Sequence, residues 1–356
     1  GILNEVIKNN NFKIKEIHVW AYLELLNALP NDKLIIKHSP KALRKSIIHQ
    51  LIWQYFVLPK EAESNHIEVM LNTDAGTICR FSPSVTMSRD MLSYEKGEIK
   101  RYGLSFQRLR LIILKYVQNH SLKKSTASIF LTQYAAKVIQ NSSGHIKKFI
   151  VIPHGVSDNF RISSNNGHWE NFKEKTIRCI YVSNIDFYKH QWNVASAIDL
   201  LRKEGYNITI DFVGGGKGRA QKKFKNTLSQ IKNNEDFIFQ HEFVPHSQLP
   251  GYLVDKDIFI FASSCENMPN TLIEGMCSGL PIACSNRGPM PEVLKDGGVY
   301  FDPENIITIK KAIKQIIDNK EKRKFIAQKS KELSNQFSWK RCSYETFKFL
   351  NEILEV

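Results

Sequence analysis

Short apolar segments alternate with amphipathic helical segments through the second half of the chain, and no other feature constrains the fold as strongly. The predicted strands are residues 177–182, 208–213, 237–241, 258–262, 282–285 and 299–301. The helical segments between them include residues 191–203 and 219–232. Strands that are each followed by a helix are typical of a parallel sheet with helices on both faces. The second half is therefore predicted to be a Rossmann-like domain.

Residues 1–160 show the same alternation in a looser form. The strands predicted there are residues 14–19, 33–37, 67–71, 84–87, 127–131 and 149–152, and a strand that would precede residue 1 is expected to be missing. A polar stretch without periodicity, residues 163–171, separates the two halves.

The expected fold is α/β, with two Rossmann-like domains that face each other across a cleft. We predict a first domain at 1–160, a second domain at 161–335, and a C-terminal helix at 336–356 that returns to the first domain. Parallel sheets bind ligands outside the carboxyl ends of their strands, so substrates are expected in the cleft.

Positive charge is concentrated in the first half. Residues 1–160 hold 22 of the 50 Lys and Arg but only 12 of the 35 Asp and Glu, which favours an anionic partner. Segments 41–58 and 104–117 combine cations with apolar faces, as helices that lie on anionic lipid do. The alternative is that the apolar faces belong to the core. Nucleic acid is not expected, because no aromatic and basic platform is present.

Targeting and cysteine patterns favour a cytoplasmic protein, with peripheral attachment to the inner membrane left open. No run reaches the roughly 18 apolar residues of a membrane span, and the N-terminus lacks a signal pattern. The six cysteines include no C-x-x-C pair, so they are predicted to be reduced thiols rather than metal ligands.

The turn after the predicted strand 258–262 carries the residues most typical of a site. Glu266 and Glu274 stand eight residues apart, with the amides of Asn267 and Asn270 between them. Unpaired N–H groups at a helix start hold phosphates and sugars. Two structural alternatives stay open: a capping box formed by Thr271 and Glu274, and a solvated loop carboxylate at Glu266.

Residues 266–283 read ENMPNTLIEGMCSGLPIA. This segment resembles the E-x7-E motif of the retaining GT-B glycosyltransferases, and of glycosyltransferase family four in particular. Other segments similar to that family are VIPHGV at 151–156, YVSNIDFYK at 181–189, FVGGG at 212–216 and SNRGPMPEV at 285–293. The resemblance is specific from about residue 150 to residue 303.

The resemblance implies that the domain at 1–160 binds the acceptor and that the domain at 161–335 binds the nucleotide-sugar donor. It also implies a role for each matching residue. Glu274 would bind the ribose hydroxyls of the donor, Glu266 the hydroxyls of its sugar, and Lys189 its diphosphate. A fixed cation such as Lys189 can stabilise the leaving nucleoside diphosphate without a metal. The remaining donor-binding residues would be Asn267, Met268, Pro269, Asn270, Thr271, Gly214 and Gly215.

Two positions depart from the family. Asn184 stands where an Arg is usual, and Lys217 and Arg287 are both candidates for the second phosphate cation. Arg89 stands where the first domain often has a His, and we predict that it lies over the sugar or diphosphate as a catalytic residue. The D-x-D at 255–257 precedes a strand instead of following one, so no metal is expected there.

The resemblance implies a retaining, metal-independent glycosyltransferase without a cofactor. It would move a sugar from a nucleotide diphosphate sugar to a lipid-linked or polysaccharide acceptor, as in bacterial surface glycan synthesis (O-antigen, lipopolysaccharide or capsule). A sugar-nucleotide epimerase on the same fold and a non-catalytic binding protein at a membrane are the alternatives. The sequence leaves the donor sugar, its base, the acceptor and the linkage open.

Overall fold

The chain divides into two compact units. The computed structural model describes residues 1–161 and 175–355, so the predicted linker 163–171 lies outside the described residues. The first unit contains Gly1–Ile99, Gly103–Gly155 and Ser338–Val356, and the second contains Lys100–Tyr102 and Val156–Phe337. The boundary at 155 lies before the predicted one at 160, and the short insertion Lys100–Tyr102 was not predicted.

The first unit is built on two parallel sheets. One pairs β1 with β2, and the other has the order β3-β4-β5-β6. In chain order its helices and strands are α1 (Ile2–Lys8), β1 (Ile17–Trp20), α2 (Leu23–Asn27), β2 (Ile35–His38), α3 (Ile47–Ile52), α4 (Leu58–Ser64), β3 (Met70–Asn72), β4 (Ser84–Met87), α5 (Phe106–Lys124), β5 (Ala127–Phe130), α6 (Gln133–Ser143) and β6 (Phe149–Val151).

The second unit is built on one six-stranded parallel sheet. Its elements are β7 (Ile177–Val182), α7 (Gln191–Lys203), β8 (Ile208–Val213), α8 (Gly218–Leu228), β9 (Ile238–His241), α9 (Leu249–Leu253), β10 (Ile258–Phe261), α10 (Asn270–Ser278), β11 (Ile282–Ser285), α11 (Met290–Leu294), β12 (Gly298–Phe301), α12 (Ile306–Asp318) and α13 (Lys320–Ser334). The strand order is β12-β11-β10-β7-β8-β9. The last helix, α14 (Trp339–Leu354), belongs to the first unit, where it packs on α1.

The α/β prediction is therefore confirmed, since every strand pairing given above is parallel. Several central elements have the predicted bounds, among them β7, α7, β8 and β11. Most residues of these strands are apolar and buried, as is typical of strands that are covered on both faces.

The single helix predicted over residues 41–58 is wrong. A 3-10 turn at Lys41–Arg44, helix α3 and a π-helical segment at Trp53–Val57 replace it. Pro59 follows this segment and has no backbone N–H to donate, and the N–H of Leu58 reaches back five residues to the carbonyl of Trp53.

The core interpretation of the two basic segments is also wrong for many of their apolar residues. Ile47, Ile48, Ile52 and Phe56 in the first segment are exposed, as are Leu104, Phe106, Leu109, Ile112, Ile113 and Tyr116 in the second. No helix in the described part of the chain is long and apolar enough to cross a membrane.

Helix α10 packs unusually close to β10 because Gly275 has no side chain. A Cβ atom at this position would lie 2.7 Å from Cδ1 of Phe259, whose ring is fully buried. Real Cβ atoms do not approach this closely, so the helix sits at a distance from the sheet that only glycine permits.

We expect Gly275→Ala to lower the free energy of unfolding by about 1–3 kcal/mol, because the added methyl must displace α10 or the Phe259 ring. Urea denaturation measures the change. Gly251→Ala is the control, since a Cβ there meets no atom within 4 Å and α9 should tolerate it or gain up to about 1 kcal/mol. Equal stability of the two variants would contradict the close packing.

Candidate functional site

The carboxyl ends of β7 and β10 mark a point where the strand order reverses. The two strands are neighbours, yet β8 and β9 extend the sheet on one side while β11 and β12 extend it on the other. Loops that leave neighbouring strands in opposite directions open a crevice at this edge, where α/β proteins bind ligands. Lys189 lies in the loop after β7, and Glu266 lies in the loop after β10.

The structure brings these two predicted catalytic residues together. Nζ of Lys189 forms an ion pair with Oε1 of Glu266, and the side chains are only 12% and 16% exposed. The ammonium also lies 4.9 Å from the ring centroid of Tyr188 and 5.7 Å from that of Phe261. Glu266 is therefore not a solvated loop carboxylate, and Lys189 is not a solvated helix-start lysine.

Hydrogen bonds from two strands' loops fix the turn that carries Lys189. The 3-10 turn Phe187–Lys189 begins after Asp186, whose Oδ1 accepts from the N–H of Phe187 at 2.6 Å. The hydroxyl of Tyr181 donates to the carbonyl of Lys189 at 2.7 Å. The N–H of Ser264, in the β10 loop, donates to the carbonyl of Tyr188 at 2.8 Å. The lysine backbone is thus held from β7 and from β10.

His190 joins the same two loops through its side chain. Its Nε2 lies 2.9 Å from Oγ of Ser264, and the ring is buried. Burial lowers the pKa of His190 to about 4, with a further contribution from the positive charge of Arg101. The imidazole is therefore neutral at pH 7 and acts as a hydrogen-bonding link rather than as a charge.

Glu274 has a partner that the sequence did not indicate. Its Oε1 accepts a hydrogen bond from Nε2 of His246 at 2.7 Å, and Glu274 is buried while the His246 side chain is 63% exposed. The capping box is wrong, because α10 begins at Asn270 after Pro269 and Thr271 already lies inside the helix. His246 lies 28 residues away in the β9–α9 connection, so no local pattern could have indicated the contact.

The other predicted donor-binding residues of the β10 loop differ in accessibility. Asn267, Met268 and Pro269 are buried, Thr271 is half-buried, and Asn270 is exposed at the start of α10. A ligand at this helix start would meet Asn270 and Thr271 before the residues that precede them.

The glycines after β8 allow the backbone there to pack closely against the loop after β7. Gly214 has φ of 133°, and a Cβ there would lie 2.5 Å from the carbonyl oxygen of Ser183. The N–H of Ile185 donates to the carbonyl of Gly215 at 3.1 Å. The turn therefore packs against the loop after β7, which is the predicted nucleotide side of the sheet, and its role in lining a nucleotide pocket stays a prediction.

Lys217, one candidate for the second phosphate cation, is exposed, as is Asn184. Arg287, the other candidate, forms an ion pair with Asp302 at 3.1 Å.

The D-x-D carboxylates form structural ion pairs. Asp255 lies 3.1 Å from the Arg178 guanidinium, and Asp257 accepts from the N–H of Arg178 at 2.8 Å. Within 1–161 and 175–355, no three His, Cys, Asp or Glu side chains gather in a way that could hold a metal ion.

Arg89 belongs to the first unit, two residues after β4. It is exposed, and its charge contributes after burial to lowering the pKa of His154 to about 4. Lys189 and Glu266 belong to the second unit, so the predicted position of Arg89 over the donor is not tested and stays a prediction.

The chain has an α/β fold with parallel sheets, and solved structures that share this fold are GT-B glycosyltransferases. It is similar over 99% of its length to 96% of Anabaena HepE, crystallised with UDP-glucose, with a TM-score of 0.72 and 15% identity. At this identity the likeness concerns the fold alone.

The match to a protein family lies within the second unit. Residues 165–333, just under half of the chain, match the family described as Glycosyl transferases group 1. The chain is 30% identical to the Escherichia coli O-antigen chain mannosyltransferase B over 33% of this chain and 31% of the relative. It is 28% identical to the Staphylococcus aureus capsular polysaccharide biosynthesis glycosyltransferase CapH, over 48% and 47%. The matches span about half or less of the curated relatives.

Glu274 gives a prediction about pH. Burial raises its pKa above the ordinary value, and the His246 hydrogen bond acts in the opposite direction. The native carboxyl therefore binds a proton at a pH where the unfolded one has lost it, and wild-type stability falls as pH rises through that interval. We expect the stability of Glu274→Gln relative to wild type to increase, in urea denaturation, as pH rises above about 4, where the unfolded carboxyl loses its proton.

Glu304→Gln is the control of opposite sign. The Arg101 hydrogen bond lowers the pKa of Glu304, so its carboxylate stabilises the native state above the unfolded pKa and loses this effect as pH falls. The stability of this variant relative to wild type should decrease as pH rises to about 4.3, the pKa of the unfolded carboxyl, and stay level above it. Curves of the same sign for both variants would contradict the assignment.

Proposed function

We propose that this chain is a retaining, metal-independent glycosyltransferase of the hexosyltransferase type that binds a nucleotide diphosphate sugar at the β7–β10 edge of the second unit. The Lys189–Glu266 ion pair at the point of strand-order reversal carries the proposal. An ammonium and a carboxylate that are mostly shielded from water, at the edge where α/β sheets bind ligands, suit a substrate with a diphosphate beside a polyol.

Lys189 supplies the charge that the leaving group needs. When the bond between the anomeric carbon and the diphosphate breaks, negative charge grows on the phosphate oxygen, and a fixed cation in a site shielded from water stabilises it. Without donor, Glu266 neutralises Lys189. When the diphosphate takes over this role, the Glu266 carboxylate becomes available to accept hydrogen bonds from the sugar hydroxyls.

Glu274 is proposed to bind the ribose. A carboxylate accepts hydrogen bonds from two neighbouring hydroxyls, and the His246 bond at Oε1 fixes its orientation. Burial supports this role, because a carboxylate in a dry position gains more from two hydroxyl donors than one in water does.

Retention is proposed to follow from attack on the face that the diphosphate leaves. The acceptor oxygen forms a bond to the anomeric carbon as the carbon–phosphate oxygen bond breaks, and a phosphate oxygen accepts the acceptor's proton. Glu266 and Glu274 are both proposed to bind donor hydroxyls, which leaves no carboxylate of this site as an obvious covalent nucleophile.

The similarity to an O-antigen mannosyltransferase and to CapH supports a surface-glycan acceptor, lipid-linked or polymeric. UDP is one nucleotide to test, because HepE was crystallised with UDP-glucose. An epimerase on the same fold is the second candidate, and it would convert the donor in the absence of acceptor. A non-catalytic binding protein would show no turnover of any donor.

We further propose that the protein works at the cytoplasmic face of an anionic membrane, which α5 contacts. Phe106, Leu109, Ile113 and Tyr116 are spaced along one side of this helix and are 53–83% exposed. Leu111 and Leu122 are buried on the opposite side. The apolar stripe of α5 therefore points away from its own unit, which is the reverse of an ordinary amphipathic surface helix.

The surrounding charge favours lipid over a second copy of the chain. Between Glu98 and Asp158 the sequence contains ten Lys and Arg and no Asp or Glu. Two copies of such a surface would bring like charges together, whereas anionic headgroups would complement them and acyl chains would cover the stripe.

The donor proposal is tested by thermal shift against UDP-, GDP-, ADP- and dTDP-sugars. One of them should raise the melting temperature, since a ligand at about 100 times its Kd adds about 2.7 kcal/mol of stability. Lys189→Met should weaken this ligand roughly 10- to 100-fold through loss of a charge-assisted bond, and Glu274→Ala should also weaken it. Lys310→Met, which breaks the ion pair of Lys310 with Glu204 in the same unit, is the matched control. No shift with any donor would overturn the proposal.

The membrane proposal is tested by flotation with vesicles. Wild-type protein should float with phosphatidylcholine vesicles that contain phosphatidylglycerol, and less so at high salt. Leu109→Ser and Ile113→Ser should each weaken binding about tenfold. Phe243→Ser removes an apolar side chain of the second unit that is even more exposed, at 78%, and should have no effect. Equal flotation with neutral vesicles would show that charge plays no part.

A further inference from the structure

Three residues of the first half of the sequence are built into the second unit. Lys100–Tyr102 belong to it, although Ile99 before them and Gly103 after them belong to the first unit. The Arg101 guanidinium donates to both carboxylate oxygens of Glu304, at 2.7 and 3.3 Å. Arg219 donates to the carbonyl of Tyr102 at 3.4 Å. The segment is therefore anchored on both sides of the Tyr102 side chain.

Tyr102 reaches the turn that carries Lys189. It is 4% exposed, and its hydroxyl donates to Oδ1 of Asp186 at 2.9 Å. Its ring meets the ring of Phe187 edge-on, with centroids 5.6 Å apart and an angle of 89° between the planes. Burial, and then the charge of Asp186, raise the pKa of Tyr102, so the phenol keeps its proton and remains a donor.

Asp186 links Tyr102 to the lysine. Its Oδ1 accepts from both the hydroxyl of Tyr102 and the N–H of Phe187, and its carbonyl accepts from the N–H of Lys189 at 3.0 Å. The first bond orients the carboxylate, and the other two close the turn. Loss of the phenol would remove one of the two donors that hold this half-buried carboxylate, and the turn would loosen.

We propose that Tyr102 is a positioning residue that fixes Lys189 for the donor diphosphate through Asp186. The statement about the diphosphate rests on the function proposed above, whereas the ordering of the turn does not. The donor site is accordingly not complete within residues 156–337: the residue that orders its phosphate-binding loop comes from the chain between β4 and α5.

The test compares Tyr102→Phe with wild type in the full chain. This substitution keeps the ring against Phe187 and removes only the hydroxyl. Tyr206→Phe is the matched control, because it removes a hydroxyl that lies 3.0 Å from Asp318 on α12 in the same unit. Hydrogen exchange of the amides at 186–190 is measured first, without ligand. We expect these amides to exchange faster in Tyr102→Phe than in wild type, and to exchange at the wild-type rate in Tyr206→Phe.

Affinity provides the second measurement. UDP is compared with uridine, and GDP with guanosine, by calorimetry. Tyr102→Phe should weaken the diphosphate roughly 3- to 10-fold and leave the nucleoside unchanged, because only the phosphates reach Lys189. A merely structural role would weaken both alike.

The outcomes separate the two proposals. If wild-type protein binds no nucleotide, the proposed function fails. The exchange measurement alone then decides whether Tyr102 orders the turn that carries Lys189. Wild-type exchange at 186–190 in Tyr102→Phe would overturn the inference. Equal weakening of UDP and uridine would also overturn it, since Tyr102 would then support the fold and not the lysine.

Discussion

The pairing of β7 with β10 is the constraint on which the candidate site depends. Only two residue pairs define it, Cys179 with Ile258 and Ile180 with Phe259, and all four side chains are fully buried. Because the strands are parallel, the loops that follow them leave the sheet at the same edge. Residues 77 positions apart in sequence, Lys189 and Glu266, thereby form an ion pair. A shift of this pairing by one residue would turn each apolar side chain to the other face and separate the two loops.

Burial determines what the charges in this region can do. Glu266 and Lys189 neutralise each other, while Glu274 accepts a hydrogen bond from the exposed His246. His190 stays uncharged between the two loops because burial lowers its pKa to about 4. A ligand that brings negative charge to the lysine and hydroxyl donors to the carboxylates would replace partners that the protein already provides. Such a ligand could therefore bind without a large rearrangement of charge.

The sequence predicted several elements of the second unit well because its strands are short, mostly apolar segments, which local patterns identify. Motifs that resemble a known family also led to Lys189, Glu266 and Glu274 as predicted site residues, and the structure pairs the first two. The sequence did not predict the roles of His246 or Tyr102, since each contacts a residue far away in the chain. It left open whether the apolar faces of the two basic segments are covered, because periodicity reveals an apolar face without showing whether anything packs against it.

The insertion of Lys100–Tyr102 has a consequence for how such chains can recombine. An exchange of the continuous segment 156–337 between two relatives would carry Asp186 and Phe187 but leave their tyrosine behind. The new combination would keep the loop after β7 in order only if the recipient supplied a matching phenol between its own β4 and α5. Exchange of the second unit is thus restricted by three residues that lie outside its main segment in sequence.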